Sequence, residues 1–196
     1  ECLLAPDVDE VIAVIRTPTG VSHAKLREVP LADFAVVAPI KDELAGADAC
    51  FYCLGVSSVG MDEPAYTRVS YDYPMAAARV LAELNPQATF VYVSGAGTNV
   101  NGRQMWARVK GRAERDVIEL LPNGYAFRPG MIQPMYGVRS KTRWYNAVYT
   151  AVAPVIPLLE RVAPKYVTTT DKLGRAMLRA ARRGFPRRIV ENADMR

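Results

Sequence analysis

Short runs of β-branched and aromatic residues alternate along this chain with longer stretches of helical periodicity. That alternation constrains the fold more than any other feature. Residues 11–15 (VIAVI), 26–29, 49–54 (ACFYCL), 89–94 (TFVYVS), 125–128 and 189–191 read as strands. Residues 40–44, 72–84, 103–121 and 171–183 read as helices between them. The helix 72–84 stops at Asn85-Pro86 and the helix 103–121 stops before Asn123-Gly124, pairs that end helices for backbone reasons. Strands apolar on both faces belong to a parallel sheet covered on both sides. The expectation is an α/β, doubly wound parallel sheet formed by a single domain over residues 1–196, with a small helical cap at 138–166.

The first residues depart from that plan. ECLLAP reads as the last turn of a helix ended by Pro6, and the strand 11–15 comes next. A doubly wound sheet starts with a strand, a glycine loop and a whole helix. The chain therefore reads as N-terminally truncated by roughly twenty residues, the length of the missing part of a βα unit.

Composition narrows the function classes. Half the residues are hydrophobic and 23% are charged, as in ordinary globular chains. The longest apolar stretch, 144–160, is broken by Asn146, Pro154 and Pro157 and reads as cap helices, not a membrane segment. Cys2, Cys50 and Cys53 form an odd set without secreted-scaffold spacing, which suits a reducing cytoplasm. Cys50 and Cys53 spell C-x-x-C inside a strand-like run, where two core cysteines are expected and not a redox pair. One histidine, His23, and no Cys/His cluster argue against zinc. The net charge of +5 is uneven: residues 1–98 carry 6 Lys+Arg against 13 Asp+Glu, and residues 99–196 carry 19 against 7. A basic half can mean nucleic acid, or equally a phosphate-bearing cofactor plus a solvated helix face; the aromatic-interleaved basic strands of RNA-binding modules are missing, which argues against nucleic acid.

The stretch Ser94-Gly95-Ala96-Gly97 decides where a ligand sits. As a dinucleotide loop, G-x-G-x-x-G, it fails: the third glycine position holds Val100, and the loop follows the fourth strand where the fingerprint follows the first. As the rim of a catalytic site it reads better. Ser94 ends a central strand, at the carboxyl edge where open α/β sheets bind ligands. Trp106 and Lys110 stand four apart, hence on one face of the next helix.

A strand-end serine facing a helix-borne W-x-x-x-K resembles the Ser…Tyr-x-x-x-Lys arrangement of short-chain dehydrogenases/reductases. FYCLGVSSVG (51–60), RVSYDYPMAAARVLAE (68–83), VSGAG (93–97), MWARVKGRAE (105–114), YAFRPGMI (125–132) and IVENADMR (189–196) extend the likeness over essentially the full chain. It is most similar to the atypical branch, the Tat-interacting oxidoreductase-like group and its epimerase/dehydratase-like relatives. The resemblance implies a Rossmann-like fold and a nicotinamide dinucleotide. It places Arg16 and Thr17 at the adenosine ribose, where an arginine fork suits a 2′-phosphate and favours NADP, with NAD the alternative. It places Asp33 and Phe34 at the adenine, Leu54, Gly55 and Val56 along the ribose, and Pro129, Gly130, Met131 and Ile132 over the nicotinamide half. Lys110 would reach the nicotinamide ribose and Ser94 a substrate oxygen.

One position departs from the pattern. Trp106 stands where the family has its catalytic tyrosine, and an indole N–H donates but cannot shuttle a proton. Tyr71, Tyr73 and Tyr136 are the candidates by residue type to replace it. Two functions follow from the resemblance. One is an NADP-dependent oxidoreductase or epimerase acting on a small carbonyl or hydroxyl compound. The other is a non-catalytic NADP-binding sensor or protein-interaction module, which Trp106 would allow.

Overall fold

The computed structural model describes residues 1–135 and 166–195. The cap expected at 138–166, the apolar stretch 144–160 and Tyr136 lie outside the described residues, Tyr166 apart. Strands β1 (Val11–Ile15) and β2 (Leu26–Pro30) pair in parallel. Strands β3 (Ala49–Tyr52), β4 (Thr89–Val93), β5 (Asn123–Arg128) and β8 (Ile189–Glu191) form a four-stranded parallel sheet in the order β3-β4-β5-β8. The short strands β6 (Met131–Gln133) and β7 (Val167–Thr169) make a third parallel pair. The fold is α/β, as expected, with every described strand pairing in parallel, but the described strands fall into three sheets instead of one.

Alternation along β4 builds the centre. Successive side chains of a strand point to opposite faces, so Phe90 and Tyr92 enter one core and Val91 the other. The first core closes with Met75, Ala78 and Leu81 of helix α2 (Tyr73–Leu84) and with Ala113 and Val117 of helix α3 (Met105–Leu120). The second closes with Leu173, Ala176, Met177 and Ala180 of helix α4 (Thr170–Arg183). Both helical layers are three to five turns long and amphipathic, so the sheet is sandwiched. A third cluster joins β2 (Val29) and the turn beyond it (Leu31, Val37, Ile40) to Val80 of α2, with Ile12 and Val14 of β1 packed against it. Helix α2 therefore supports both the four-stranded and the two-stranded sheet.

Several expectations on the elements need correction. The helix 72–84 is preceded by helix α1 (Glu63–Thr67) and a wide π turn (Arg68–Asp72), which no sequence pattern announced. Asp62 starts α1 by accepting the Ala65 N–H on Oδ1 at 2.8 Å. Residues 40–44 form no α-helix; two 3-10 turns, Ala38–Ile40 and Asp42–Leu44, stand there. Strand β3 ends at Tyr52, so Cys53 leaves the sheet and is exposed, and the two cysteines are not both core residues. Burial pushes the Cys50 thiol up to about 12, which keeps it protonated and unreactive at neutral pH. Gly124 does end the α3 region, but by close approach and not by a left-handed turn. A Cβ there would lie 2.6 Å from the Val117 carbonyl oxygen.

Candidate cofactor and catalytic site

Three strand exits meet at the carboxyl edge of the four-stranded sheet. The register sets Tyr52 beside Tyr92 and Val93 beside Phe127. The segments that follow, 54–56, 94–98 and 129–132, therefore leave the sheet side by side. Hydrogen bonds tie two of them: Ser94 N–H donates to the Phe127 carbonyl at 2.8 Å, and Ala96 N–H to the Pro129 carbonyl at 2.9 Å. At Gly55 and Gly95 no atom lies within 4 Å of where a Cβ would stand, so the rim is open there.

Ser94 and Lys110 converge on this rim. Lys110 Nζ donates to the Ser94 main-chain oxygen at 2.9 Å and stands 5.8 Å from the centre of the Tyr92 ring. Burial pulls the Lys110 ammonium down to about 8, a shift that the Glu114 carboxylate one turn on only partly offsets. Ser94 Oγ is 2.8 Å from the Thr98 hydroxyl, which donates in turn to the Gly95 carbonyl. Helix α3 and the loop press together because residue 111 is glycine: a Cβ would fall 2.5 Å from the Val100 nitrogen. Trp106 lies over the same loop, its Cη2 3.5 Å from where a Gly97 Cβ would be. Gly97 itself has φ +87, the left-handed region that favours glycine.

The exit of β5 is held by buried polar groups. Arg128 makes a forked pair with Glu114, its Nη2 2.6 Å from Oε2, and reaches Glu191 at 3.1 Å. Glu114 is almost fully buried, so the pair is a charge-assisted contact that solvent screens little on the carboxylate side. Asn192 clamps the next turn, accepting the Gly130 N–H at 2.8 Å and donating to the Val167 carbonyl at 3.0 Å. Gly130 allows β7 to approach, since a Cβ there would overlap the Tyr166 carbonyl at 2.2 Å. Met131 and Ile132 then continue as β6.

The remaining predicted residues gather at the end of the two-stranded sheet. Arg16 follows β1 and lies with its guanidinium 5.9 Å from the Phe34 ring centre. Phe34 packs against Tyr73 at 5.9 Å, and Arg68 covers Tyr73 at 5.7 Å. Arg68 closes the series on Asp33 at 2.8 Å, while the other Asp33 oxygen accepts the Ala35 N–H. Arg16 and Thr17 are exposed, and Arg16 has no ion pair among the described residues. Leu54 is half-buried and Val56 exposed.

Sequence reasoning missed several members of this arrangement. Thr98, Glu114 and Asn192 hold the site from within, and Arg68 completes the aromatic series beside Tyr73, which the sequence marks only as a candidate proton donor. Arg128, Glu114 and Asn192 all lie inside motifs already quoted, but their pairing across distant elements leaves no local pattern. Two tyrosines offered as proton donors are engaged elsewhere. Tyr71 OH donates to Asp116 at 2.6 Å, and Tyr73 OH accepts from Arg68 Nε at 3.3 Å.

No protein-family model matches the chain, and no curated protein matches it by sequence. Solved structures do match in fold. The glucuronic acid dehydrogenase of Chromohalobacter salexigens superposes with a TM-score of 0.63 at 14% identity, over 93% of this chain and 66% of its own. The Bordetella bronchiseptica enzyme WbmH, solved with NAD+, gives 0.58 at 17% identity, over 89% and 64%. The dTDP-4-dehydrorhamnose reductase of Bacillus anthracis, solved with NADP, gives 0.59 at 10% identity, over 90% and 71%. The chain thus has the α/β fold of this class of dehydrogenases, reductases and epimerases, the class to which its motifs pointed. It spans about two thirds of the length of these neighbours, from 64% to 71%. Among the described residues no helix is long and apolar enough to cross a membrane, and no three His, Cys, Asp or Glu side chains form a metal-holding group.

Proposed function

We propose that this chain is an NAD(P)-binding oxidoreductase or epimerase-like protein of the atypical short-chain dehydrogenase type, acting on a small carbonyl or hydroxyl compound. A single observation carries the proposal: Lys110 Nζ and Ser94 meet at 2.9 Å on the carboxyl rim, beside loops that are open at Gly55 and Gly95. Lys110 would hold the nicotinamide ribose, Ser94 Oγ the substrate oxygen, and 129–132 would cover the ring. Leu54, Gly55 and Val56 would follow the adenosine ribose, with Asp33 and Phe34 at the adenine. NADP is favoured because the Arg16 guanidinium is exposed and has no carboxylate partner among the described residues, leaving its fork for a 2′-phosphate, with Thr17 adding a hydroxyl. When bound, the dinucleotide supplies hydride chemistry; the chain's residues bind and orient it. The finer likeness to the Tat-interacting group rests on the motifs alone. A cytoplasmic setting fits three cysteines that are all free.

The second reading, an NADP sensor without turnover, is favoured by Trp106 lying over Gly97 in the tyrosine position. Titrating the full chain with NADPH and NADH, followed by nicotinamide fluorescence, tests the cofactor assignment. Arg16→Ala should weaken NADPH roughly 10- to 100-fold, the loss of one charged hydrogen-bonding group, and leave NADH nearly unchanged. Equal losses for both nucleotides would refute the phosphate role.

A further inference from the structure

We infer that Lys110 itself is the proton donor of this site, doing the work of the tyrosine that Trp106 displaces. The inference rests on the oxidoreductase reading above and adds to it the identity of the acid. Three observations converge on Lys110. Its ammonium has three N–H donors and commits one to a protein oxygen, that of Ser94, with the Tyr92 ring as its other neighbour. No carboxylate of the described residues stands within ion-pair reach of it, because Glu114 is forked onto Arg128. Nζ is therefore anchored on the residue whose hydroxyl would hold the substrate oxygen, with N–H groups to spare.

Among the described residues the other hydroxyls named above have partners of their own. Tyr92 OH donates away from the rim to the Ser70 carbonyl at 2.9 Å, Tyr71 OH to Asp116, and Tyr73 OH pairs with Arg68. Ser94 Oγ and Thr98 Oγ1 are paired with each other, and no base touches either among the described residues. The groups that face Lys110 are Glu114 on its own helix, itself paired with Arg128, and the Tyr92 ring on β4. Of these only Glu114 moves its titration, upward, against the larger effect of burial. An ammonium drawn down toward 8 releases a proton far more readily than an ordinary lysine, and an acid poised near the working pH is the efficient one.

The step balances. A bound reduced dinucleotide would supply a hydride, with its electron pair, to the carbonyl carbon. The carbonyl π pair moves to oxygen, which takes a proton from Nζ as an N–H bond breaks and an O–H bond forms. The carbonyl is reduced to an alcohol, the nicotinamide is oxidised, and the neutral amine regains its proton from water.

The experiment uses the full chain with NADPH and a panel of aldehydes, ketones and an ortho-quinone, from pH 6 to 10. The rate of NADPH oxidation should be level at low pH and fall about tenfold per pH unit above a midpoint near 8. Lys110→Arg, which keeps the charge but cannot lose a proton, should lower turnover at saturating NADPH about 100-fold or more. Because a variant can fail for structural reasons, the wild-type lysines are also reductively methylated with 13C-formaldehyde and titrated by NMR. The Lys110 resonance should move with a midpoint near 8, not the ordinary 10.5. Nucleotide binding with no turnover over the panel, a flat pH profile, an active Lys110→Arg, or a midpoint near 10.5 would each overturn the inference and leave the cofactor assignment standing. Failure to bind either nucleotide would remove the oxidoreductase reading itself.

Discussion

Strands β1 and β4 are both five residues long, apolar and in parallel sheets, yet they occupy different surroundings. β4 is paired on both edges, has helices on both faces, and buries four of its five residues. Among the described residues β1 pairs only with β2, and all five of its residues are half-buried. VIAVI is no less hydrophobic than TFVYV; the difference lies in neighbours. An edge strand lacks one ladder of hydrogen bonds and one flank of packing. The apolar character of a run thus limits what a strand can bury, and topology decides what it does bury. Lys110 and Ser94 stand on the firmly packed region, and Arg16 on the looser one.

The sharpest way to break this contrast is a pair of truncations. Phe90→Ala, at a side chain with no exposure at all, should cost about 3–5 kcal/mol. Val14→Ala in β1 should cost roughly 1 kcal/mol, since that side chain is only half removed from water. Equal costs in urea denaturation would mean that β1 is as well packed as β4. Next in size is the polar anchor of the packed region. Glu114→Gln leaves Arg128 with the exposed Glu191 alone, and should destabilise the chain by about 3 kcal/mol, as breaking one side of a buried pair does. A loss below about 0.5 kcal/mol, the usual range for surface pairs, would show the pair to be solvated.

A smaller effect than the loss of Glu114 comes from Lys110. Its folded value near 8 lies below the ordinary 10.5, so between those values the unfolded chain binds more protons. Stability should therefore rise with pH across that window, by on the order of 1–3 kcal/mol. The Cys50 thiol works in the opposite direction above 9, because unfolding releases its proton. The difference between wild type and Lys110→Met isolates the lysine. A difference that does not change between pH 8 and 10.5 would show that Lys110 is not desolvated.

Much of the packed region was legible in the sequence because its signals are local and periodic. TFVYVS announced a two-sided strand, and the spacing of Ser94 and Lys110 across one strand-loop-helix unit brought them together on paper. The same logic fixed α2 and α3 to within a few residues. What could not be read depends on contacts between distant segments. Gly111 and Gly130 are demanded by the Val100 and Tyr166 backbones, which no neighbouring residue predicts. Strands β6 and β7 have three residues each, too few for a period to show. Arg68 and Tyr73 sit on a π turn and the helix after it, and an i→i+5 turn has no composition of its own. The expectation of one sheet came from the alternation of apolar runs and helices, which does not say which strands pair.

That π turn has a consequence for the whole molecule. Its five residues, Arg68–Asp72, carry the ion pair to Asp33 beside the two-stranded sheet. The same five residues lend the Ser70 carbonyl to Tyr92, whose ring underlies Lys110. Excising one residue would restore ordinary helical winding and swing everything on one side by about 100°, the angle each residue subtends. Whichever anchorage survived, the other would be torn loose. The widened coil is thus an axle on which both anchorages are mounted, and its width is what keeps them in gear.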